Sequence, residues 1–549
     1  MVGGTTMNAD TRADRTSPFG WLADPAKVFA LALGVLALRT LALIARDKHY
    51  LILDDAFISF RYARNLVDGL GLVFNPGERV EGYTNFLWTV LLALCQALGL
   101  DMEAASVLFA FLATAGTILI LLLLGMRLVK EVDGSPSWLS ALPPLAFAAG
   151  GSQARYVVSG METALFVFLV VLAVYLMVRR VPPVLTGIVF ALATLTRPEG
   201  ILYLAVALLF QALWGEGETV LGRLATASWI LGGFLLLFLP FFFWRWSYYG
   251  YPLPNTFYAK AGSGWSGPLL QRGFSLFLQA GWQAGVALPL LVAMGGIRSL
   301  GRERVWRLFW LAIVATALYM IAVGGDFLFF FGPRFLNPIL PFVLLLAARS
   351  VVGLGTSEAG RRLLRLAPAH LVAVLLLANA CWMTWPARTG DLSFLPVMNE
   401  CWAELGRWIA RNTPRESVIA VGAVGRIPFY SERTTIDMLG LTDVHIAHLD
   451  VPLGAGIPGH EKYDTPYVLG RKPDYLVFPR LDSQGRPFLV GWSRYREAIE
   501  REYEMIALAR MADAPTPWVY ETSVWTPDLG KQGYAAALYR RRVPAAGSK

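Results

Sequence analysis

The sequence predicts a polytopic α-helical membrane protein followed by an α/β domain outside the membrane. Of its 549 residues, 56% are hydrophobic and only 16% are charged, whereas a soluble chain carries about 25% charged residues. Apolar stretches that approach the length needed to cross roughly 30 Å of hydrocarbon recur between residues 27 and 386. Residues 387–549 contain no apolar stretch near that length, and short β-type segments alternate there with turns.

The first apolar stretch, residues 27–46, is predicted to remain as a membrane anchor after a cytoplasmic N-terminus at 1–26. It is too long for the core of a signal peptide, and no small-residue cleavage site follows it. Further stretches bring the predicted number of spans to eleven. They lie at 27–46, 104–126, 138–151, 164–178, 183–196, 199–214, 226–246, 279–297, 306–324, 335–348 and 366–385.

Clusters of Arg and Lys predict the orientation of these spans. Basic residues precede the first span and recur at Arg127, at Arg179, in 298–307 and in 349–365. Loops rich in Arg and Lys normally face the cytoplasm, and most of the formal charge of +9 belongs to this half of the chain. With these loops inside, the tail 387–549 is predicted to be extracytoplasmic. We expect the membrane to be the inner (plasma) membrane.

The segment 86–99 decides the count, because it is apolar but only about 14 residues long. Counting it as a span would turn the Arg127 loop outward and reverse every later loop, against the positive-inside rule. We therefore predict a re-entrant or interfacial helix on the outer face.

Two adjacent acids, Asp54 and Asp55, open the first outer loop. Apolar residues recur at helical spacing after them, which predicts an amphipathic helix on the membrane surface. One carboxylate can cap this helix, and capping alone is one interpretation of the pair. The other interpretation gives one acid the role of a general base. We expect Asp55 to be the cap, since it directly precedes the apolar pattern, and Asp54 to be the base.

The remaining outer loops carry acids, cations and amides beside aromatic residues. Polar groups from separate loops on one face of a helical bundle indicate a single substrate site. The candidates for substrate binding are Arg39, Arg61, Glu81, Tyr83, Asn85, Glu162, Arg197, Glu199, Asn255, Tyr258, Lys260, Asp326 and Arg334.

Several candidates also fit purely structural roles. The group around Tyr83 suits hydrogen bonding to sugar hydroxyls, but equally an aromatic belt at the membrane interface. Glu162 fits the N-terminus of a span. Arg197 and Glu199 fit a surface ion pair, which contributes little stability.

Three cations favour anion binding more specifically. Lys260 and Arg334 lie on the side where the positive-inside rule expects few cations, and the planar fork of Arg suits phosphate. Arg39 lies within the first span, where a charged side chain normally faces the bundle interior with a partner.

Other classes of site find little support in the sequence. No basic tract of the nucleic-acid-binding kind and no phosphate-cradling Gly-rich loop occurs. The three cysteines are too widely spaced for a zinc site. In the tail, Asp437, Asp443, His445, His448 and Asp450 fit turn chemistry better than a metal site.

The stretch "DDAFISFRYARNLVDGLGLVFNPGERVEGYTNFLW", together with "SGMET", "TRPEG" and "LPNTFYAK", resembles the C-type (GT-C) membrane glycosyltransferases that use polyprenyl-phosphate sugars. Within that family the likeness is greatest to arabinofuranosyltransferases, and it extends into the tail at 425–447. The resemblance implies a GT-C fold with about eleven to thirteen transmembrane helices, surface helices in the first outer loop and a tail that helps to hold the acceptor; the sequence itself favours about eleven helices. It points to Asp54 or Asp55 as the essential acid and to Glu162 at the start of a span.

The leading functional hypothesis is therefore transfer of a sugar, with arabinofuranose favoured, from a polyprenyl monophosphate to a cell-envelope glycan or glycolipid acceptor. The resemblance leaves a divalent metal possible and requires no other cofactor. A transporter that flips lipid-linked sugars is an alternative, although no internal repeat supports it. A non-catalytic receptor for envelope glycan is the third hypothesis. None of the three involves nucleic acid.

Overall fold

The computed structural model describes most of the membrane half and most of the tail. The predicted span 366–385 and most of the span predicted at 279–297 lie outside the described residues. The described residues are 20–47, 52–128, 140–260, 264, 266–283, 290, 294, 304–326, 334–354, 394–479, 491, 493–510, 518–521 and 535–542.

The regular secondary structure of the described membrane half is helical, and the helices are joined by loops such as 68–85. In chain order the helices are α1 (Pro25–Asp47), α2 (Asp54–Val67), α3 (Phe86–Ala97), α4 (Met102–Leu128), α5 (Leu142–Ala149), α6 (Gly151–Val157), α7 (Thr163–Val178), α8 (Pro183–Thr196), α9 (Gly200–Trp214), α10 (Val220–Tyr249), α11 (Asn255–Lys260), α12 (Gly267–Gln283), α13 (Val305–Ala322) and α14 (Leu340–Leu354).

Four of the described helices, α1, α4, α10 and α13, are long and apolar enough to cross a bilayer. The shorter apolar helices α7, α8 and α9 occupy the spans predicted at 164–178, 183–196 and 199–214. The chain is therefore a membrane protein. The figure of eleven spans stays a prediction, because several apolar helices are short and part of the chain is not described.

The bundle has two chemically different ends. At one end, a guanidinium nitrogen of Arg304 donates to the carbonyl of Gly215 at 3.2 Å, and Arg180 pairs with Glu216. At the other end, the start of α7, the end of α8 and the start of α9 meet at Glu162 and Arg197. The basic loops and the candidate site thus lie at opposite ends, as the alternation of basic loops predicts.

Helix α3 begins and ends on the same side of the bundle. Just before it, Asn85 donates to Glu162 at the start of α7 at 2.8 Å. Soon after it, Glu103 accepts a 3.1 Å hydrogen bond from Tyr430 of the tail. The helix therefore does not cross the bundle, in agreement with the re-entrant or interfacial helix predicted at 86–99.

The span predicted at 138–151 differs from the structure, which has two short helices, α5 and α6, over 142–157. Gly150 separates them with an extended backbone, φ −61° and ψ 122°. This break interrupts the helical hydrogen-bond ladder near the C-terminal end of α5. Arg39 of α1 donates to the carbonyl of Ala149 at 2.6 Å, so this candidate substrate residue satisfies a backbone acceptor exposed by the break.

The tail is an α/β domain built on one sheet of six strands. The strands are β1 (Val418–Val421), β2 (Thr434–Asp437), β3 (Tyr475–Phe478), β4 (Tyr503–Arg510), β5 (Trp518–Glu521) and β6 (Ala535–Arg541); the helices are α15 (Phe394–Asn412), α16 (Arg426–Ser431), α17 (Val444–Ala447), α18 (Thr465–Gly470) and α19 (Arg496–Glu502). Strands β1, β2 and β3 are parallel, and the other three are antiparallel, in the order β2-β1-β3-β6-β4-β5. Short β-type segments predicted in the tail are thus present, for example as β1 and β3.

The tail and the first outer loop share one hydrophobic core. Ile58 and Tyr62 of α2 are buried in the same cluster as Val421 and Tyr475 of the tail sheet. At the sheet edge, the Asn75 amide accepts from the nitrogen of Thr435 at 3.0 Å and donates to its carbonyl at 2.8 Å. The amide thereby pairs with the open edge of β2 and protects it. The tail is thus packed directly onto the helix that opens with the two acids.

Candidate active site

Asp54 is bound to the tail. Its two carboxylate oxygens accept hydrogen bonds from the backbone nitrogens of Gly425 at 3.1 Å and Arg426 at 2.7 Å. These are the first amides of α16, so Asp54 caps a helix of the tail rather than its own. Gly425 is required at this point because a Cβ there would overlap the backbone of Asp54.

The division of roles predicted for the two acids is wrong in one respect. Helix α2 has Leu53 as its N-cap, and no side chain caps it, so Asp55 is not the cap. Asp54 performs the capping function, but toward the tail. Burial raises the pKa of Asp54 to about 6, and the charge of Asp55 acts in the same direction, while the two amides oppose the shift.

Asp55 is exposed and has no hydrogen-bond or ion-pair partner among the described residues. Its charge nevertheless acts on three groups that come from distant parts of the chain, Lys260, Arg334 and His460. The structure therefore brings an open carboxylate together with two cations and an imidazole. Of the two acids, Asp55 is the one available to a substrate.

Lys260 lines this site from the last residue of α11. Its side chain is accessible to solvent, yet burial and the nearby charge of Arg334 lower the pKa of its amine, while Asp55 opposes the shift. A side chain that is accessible and also surrounded by protein lies in a recess. No carboxylate of the described residues lies within ion-pair distance of Lys260, which leaves the ammonium for an anionic ligand.

Arg334, the other predicted phosphate-binding cation, already has a partner. Its Nη2 donates to Oδ1 of Asp326 at 2.8 Å, and its Nε lies 2.7 Å from Oδ2 at an angle too poor for a good hydrogen bond. Both side chains are largely buried. Asp326 therefore neutralises much of the charge that the sequence assigned to phosphate binding.

A second buried charge cluster lies beside Arg334. Arg197 pairs with Glu162 at 2.7 Å and with Glu199 at 2.9 Å, and Glu162 also accepts from Asn85. A small cavity bounded by Arg197, Glu199, Tyr319 and Arg334 joins the two clusters. Six predicted site residues (Asn85, Glu162, Arg197, Glu199, Asp326 and Arg334) thus do converge. The surface ion pair considered for Arg197 and Glu199 is instead part of a buried network.

Two predicted substrate residues act as connections to the tail. Arg61 is buried and donates to the carbonyls of Phe74, Pro428 and Arg433 and to the side chain of Asn75. Its role in substrate binding stays a prediction that these four bonds do not favour, because they leave the guanidinium enclosed. The side-chain amide of Asn255 is likewise buried, and it donates to three carbonyls of the tail.

Glu81 and Tyr83 are also occupied by protein. Glu81 forms a buried ion pair with Arg245 of α10 at 2.7 Å. The hydroxyls of Tyr83 and Tyr249 lie 3.2 Å apart in the shared core. Both Glu81 and Tyr83 are about 5% exposed or less, so sugar binding by these side chains stays a prediction that their present contacts do not favour.

The structure adds residues that sequence reasoning did not identify. His460 lies in a tail loop close enough to Asp55 for their charges to interact, and its ring contacts the carbonyl of Pro458 at 3.1 Å. Tyr319 contributes to the cavity from α13, and Arg245 neutralises Glu81. Only the position of Arg245 within an apolar span could have drawn attention in the sequence.

Acids and histidines that the sequence offered as metal ligands in the tail form hydrogen bonds within the tail. Asp437 accepts from the backbone nitrogens of Leu439, Gly440 and Thr442, and His445 bonds to Asp464 at 2.9 Å. Within the part of the chain that the structure describes, no three His, Cys, Asp or Glu side chains are grouped as metal ligands would be.

Parts of this chain are similar in sequence to known proteins. A family model described as a domain of unknown function, DUF8728, matches residues 397–538, within the tail. The terminal β-(1→2)-arabinofuranosyltransferase of Mycobacterium tuberculosis is 28% identical over 378 residues, which cover 62% of this chain and 58% of that protein. The enzyme of the same name from Corynebacterium glutamicum is 28% identical over 388 residues, covering 61% of this chain and 52% of the enzyme. The chain thus spans less than two thirds of these relatives.

A solved structure decides the fold. ArnT from Cupriavidus metallidurans, in a crystal structure with bound undecaprenyl phosphate, superimposes with a TM-score of 0.53. The match covers 97% of this chain and 100% of ArnT at 15% identity. The chain has the ArnT fold. The fold agrees with the GT-C fold that the motifs predicted, and the resemblance to arabinofuranosyltransferases is confirmed as a likeness by the two relatives.

Proposed function

We propose that this protein is a membrane glycosyltransferase that moves a sugar from a polyprenyl monophosphate to a cell-envelope glycan. The observation that carries the proposal is the exposed carboxylate of Asp55 near the ammonium of Lys260, which has no ion-pair partner among the described residues, on a fold shared with a protein that binds undecaprenyl phosphate. The likeness to two arabinofuranosyltransferases favours arabinofuranose as the sugar.

The chemistry needs a base and a cation at one site. Asp55 accepts the proton of the attacking acceptor hydroxyl as the bond from that oxygen to the anomeric carbon forms. The bond between the anomeric carbon and the phosphate oxygen breaks, and its electron pair remains on the lipid phosphate. Lys260 pairs with that phosphate, whose charge grows as the bond breaks, so a fixed cation stabilises the transition state more than the ground state.

The membrane arrangement supports access by both substrates. Lys260 and Arg334 lie at the same end of the helical bundle as the tail, where the head group of a lipid would sit at the interface. We place this end on the extracytoplasmic side of the plasma membrane, since the opposite end carries the basic loops. The tail would then meet a glycan acceptor outside the cell.

The proposal is tested with membranes that contain the protein, a radiolabelled polyprenyl-phosphate arabinose and an arabinan oligosaccharide acceptor. Asp55→Asn should lower product formation by roughly 10²-fold or more, because an amide cannot accept the proton. The matched control is Asp68→Asn, which changes an exposed acid just after the other end of α2 and should leave activity within about two-fold.

Two outcomes would contradict the proposal. Wild-type membranes that form no product with this donor or with other polyprenyl-phosphate sugars would remove the transferase function. Near-native turnover in Asp55→Asn, with normal membrane expression, would remove Asp55 from the chemistry.

A further inference from the structure

Helix α11, which carries Lys260, is attached to the tail at its first residue. The side-chain nitrogen Nδ2 of Asn255 donates to the carbonyls of Gly440 at 2.9 Å, Leu441 at 3.0 Å and Asp443 at 3.3 Å. Toward the membrane half, the Asn255 backbone nitrogen donates to the carbonyl of Glu81 at 3.0 Å. The start of α11 is thus held mainly by carbonyl groups of the tail.

The middle of α11 is attached to the tail by Tyr258. Its ring stacks on His448, with centroids 4.2 Å apart. Its carbonyl accepts a hydrogen bond from Nζ of Lys462 at 2.8 Å, and the same Nζ donates to the carbonyl of Ala447 at 2.8 Å. Lys462 is only 4% exposed, so a buried ammonium joins α11 to the tail through two carbonyls.

The last residue of α11 lies against the tail backbone. A Cβ built on Gly459 would come within 3.4 Å of Cε of Lys260 and within 3.8 Å of its Cγ. The tail backbone therefore runs along the aliphatic stem of Lys260. Gly459 has a φ of +76°, a conformation that favours glycine, and His460 follows it at the site.

The tail segment 453–462, which contains Gly459 and Lys462, is itself fixed to the membrane half. Ser266 donates to the carbonyl of Leu453 at 3.0 Å. Arg272 of α12 pairs with Glu461 at 2.9 Å, and this ion pair is largely buried. The segment is thus held at both ends, and it can hold Lys260 in turn.

We propose that the tail positions Lys260 for the phosphate of the lipid donor, with Lys462 and Gly459 as positioning residues that act through Lys260. This inference rests on the proposed function, because it takes the lipid phosphate as the ligand of Lys260. The physical reason is the flexible four-carbon stem of lysine, whose ordering costs free energy on binding. A tail that orders the stem in advance lowers that cost and raises affinity.

The test measures binding of a polyprenyl monophosphate that carries no sugar to the full-length protein in nanodiscs. Lys462→Met keeps the length of the side chain but removes both hydrogen bonds, and we expect the affinity to fall by roughly 5–20-fold. The control is Lys472→Met, which alters an exposed lysine elsewhere in the tail and should not change the affinity. The Michaelis constant for the glycan acceptor should stay within about two-fold in both variants.

A double substitution separates positioning from general damage. If Lys462 acts through Lys260, then Lys462→Met should have little further effect on lipid affinity in a Lys260→Met background. Gly459→Ala provides an independent variant in case Lys462→Met does not fold, and it should weaken lipid binding in the same way. Unchanged affinity in both single variants, or additive losses in the double variant, would overturn the inference.

The binding measurement also separates this inference from the proposed function. A protein that binds the lipid in the expected pattern, yet transfers no sugar, would contradict the transferase function and support the positioning of Lys260. Lipid affinity that is the same in Lys260→Met as in the wild type would instead overturn the inference and the phosphate site together.

Discussion

Asp54 and Asp55 occupy successive positions at the start of α2, so their side chains diverge by about 100° around the helix axis. One carboxylate binds the amides that begin α16 of the tail, and the other lies near Lys260 and His460. The two acids therefore serve different parts of the protein. One attaches the tail to the surface helix, and the other remains available for chemistry at the boundary between them.

The raised pKa of Asp54 predicts a pH dependence of stability. Burial raises this pKa from the ordinary value of 3.8 to about 6 in the folded protein, so the folded state binds the proton more tightly than the unfolded chain. The resulting stabilisation is complete below the unfolded pKa and is lost as the pH rises through about 6. We expect Asp54→Asn to reduce the gain in thermal unfolding midpoint between pH 7 and pH 5 by roughly 1–3 °C.

Scanning fluorimetry in detergent at the two pH values provides the measurement. Burial also raises the pKa of Asp437 to about 6, with the charge of Asp443 acting in the same direction. Part of the rise in unfolding midpoint between pH 7 and pH 5 should therefore persist in Asp54→Asn. This remaining part should disappear in the double variant with Asp437→Asn. A gain that is identical in wild type and Asp54→Asn would show that Asp54 does not titrate in this range.

At the scale of elements, the contact between α2 and α16 joins the two halves of the protein. Arg61 donates to carbonyls on both sides of this contact, at Phe74 and at Pro428, and Arg426 returns a hydrogen bond to the carbonyl of Ile52 at 2.8 Å. Buried guanidinium groups can satisfy several carbonyls at once. This contact consequently has a defined geometry, and it depends on close approach of the two backbones at Gly425.

Gly425→Ala should loosen the tail, because the added Cβ would overlap the backbone of Asp54. We expect trypsin to cleave the tail several-fold faster than in the wild type, as local opening becomes more frequent. Gly470→Ala is the matched control, since it adds the same atom in the same domain where no other atom lies within 4 Å. Equal cleavage rates for the two variants would show that the contact tolerates a side chain at 425.

At the scale of the whole molecule, the charge difference between the two ends predicts the orientation in the membrane. Glu218 lies in the exposed loop after α9, at the basic end, and Lys472 is exposed on the tail. In a Cys381→Ser background, we expect a membrane-impermeant maleimide to label Lys472→Cys in intact cells and Glu218→Cys only after permeabilisation. The described native cysteines, Cys95 and Cys401, are buried. The reverse labelling pattern would invert the orientation and place the candidate site in the cytoplasm.

The sequence by itself determined the features that depend on local patterns. Long apolar runs predicted α1, α4, α10 and α13, because a segment in lipid must satisfy its backbone internally and present apolar side chains all round. The short length of 86–99 correctly excluded α3 as a span. Brief β-branched runs predicted β1 and β3, since each is buried on both faces of the sheet. Acids and cations at predicted outer loops correctly indicated where polar residues gather.

The tertiary structure alone decided what each polar residue does. Arg61 and Asn255 resemble ligand-binding residues in the sequence, but each of them donates to tail carbonyls more than 180 positions away. Asp54 and Asp55 are the same residue type, and their side chains leave α2 in different directions. Their roles differ because Asp54 meets α16 and Asp55 lies near Lys260 in the folded protein. A charged side chain is neutralised by whichever group lies within a few ångströms in space. Distance along the chain does not determine that neighbour, so the choice between a structural ion pair and an open catalytic group is made by packing.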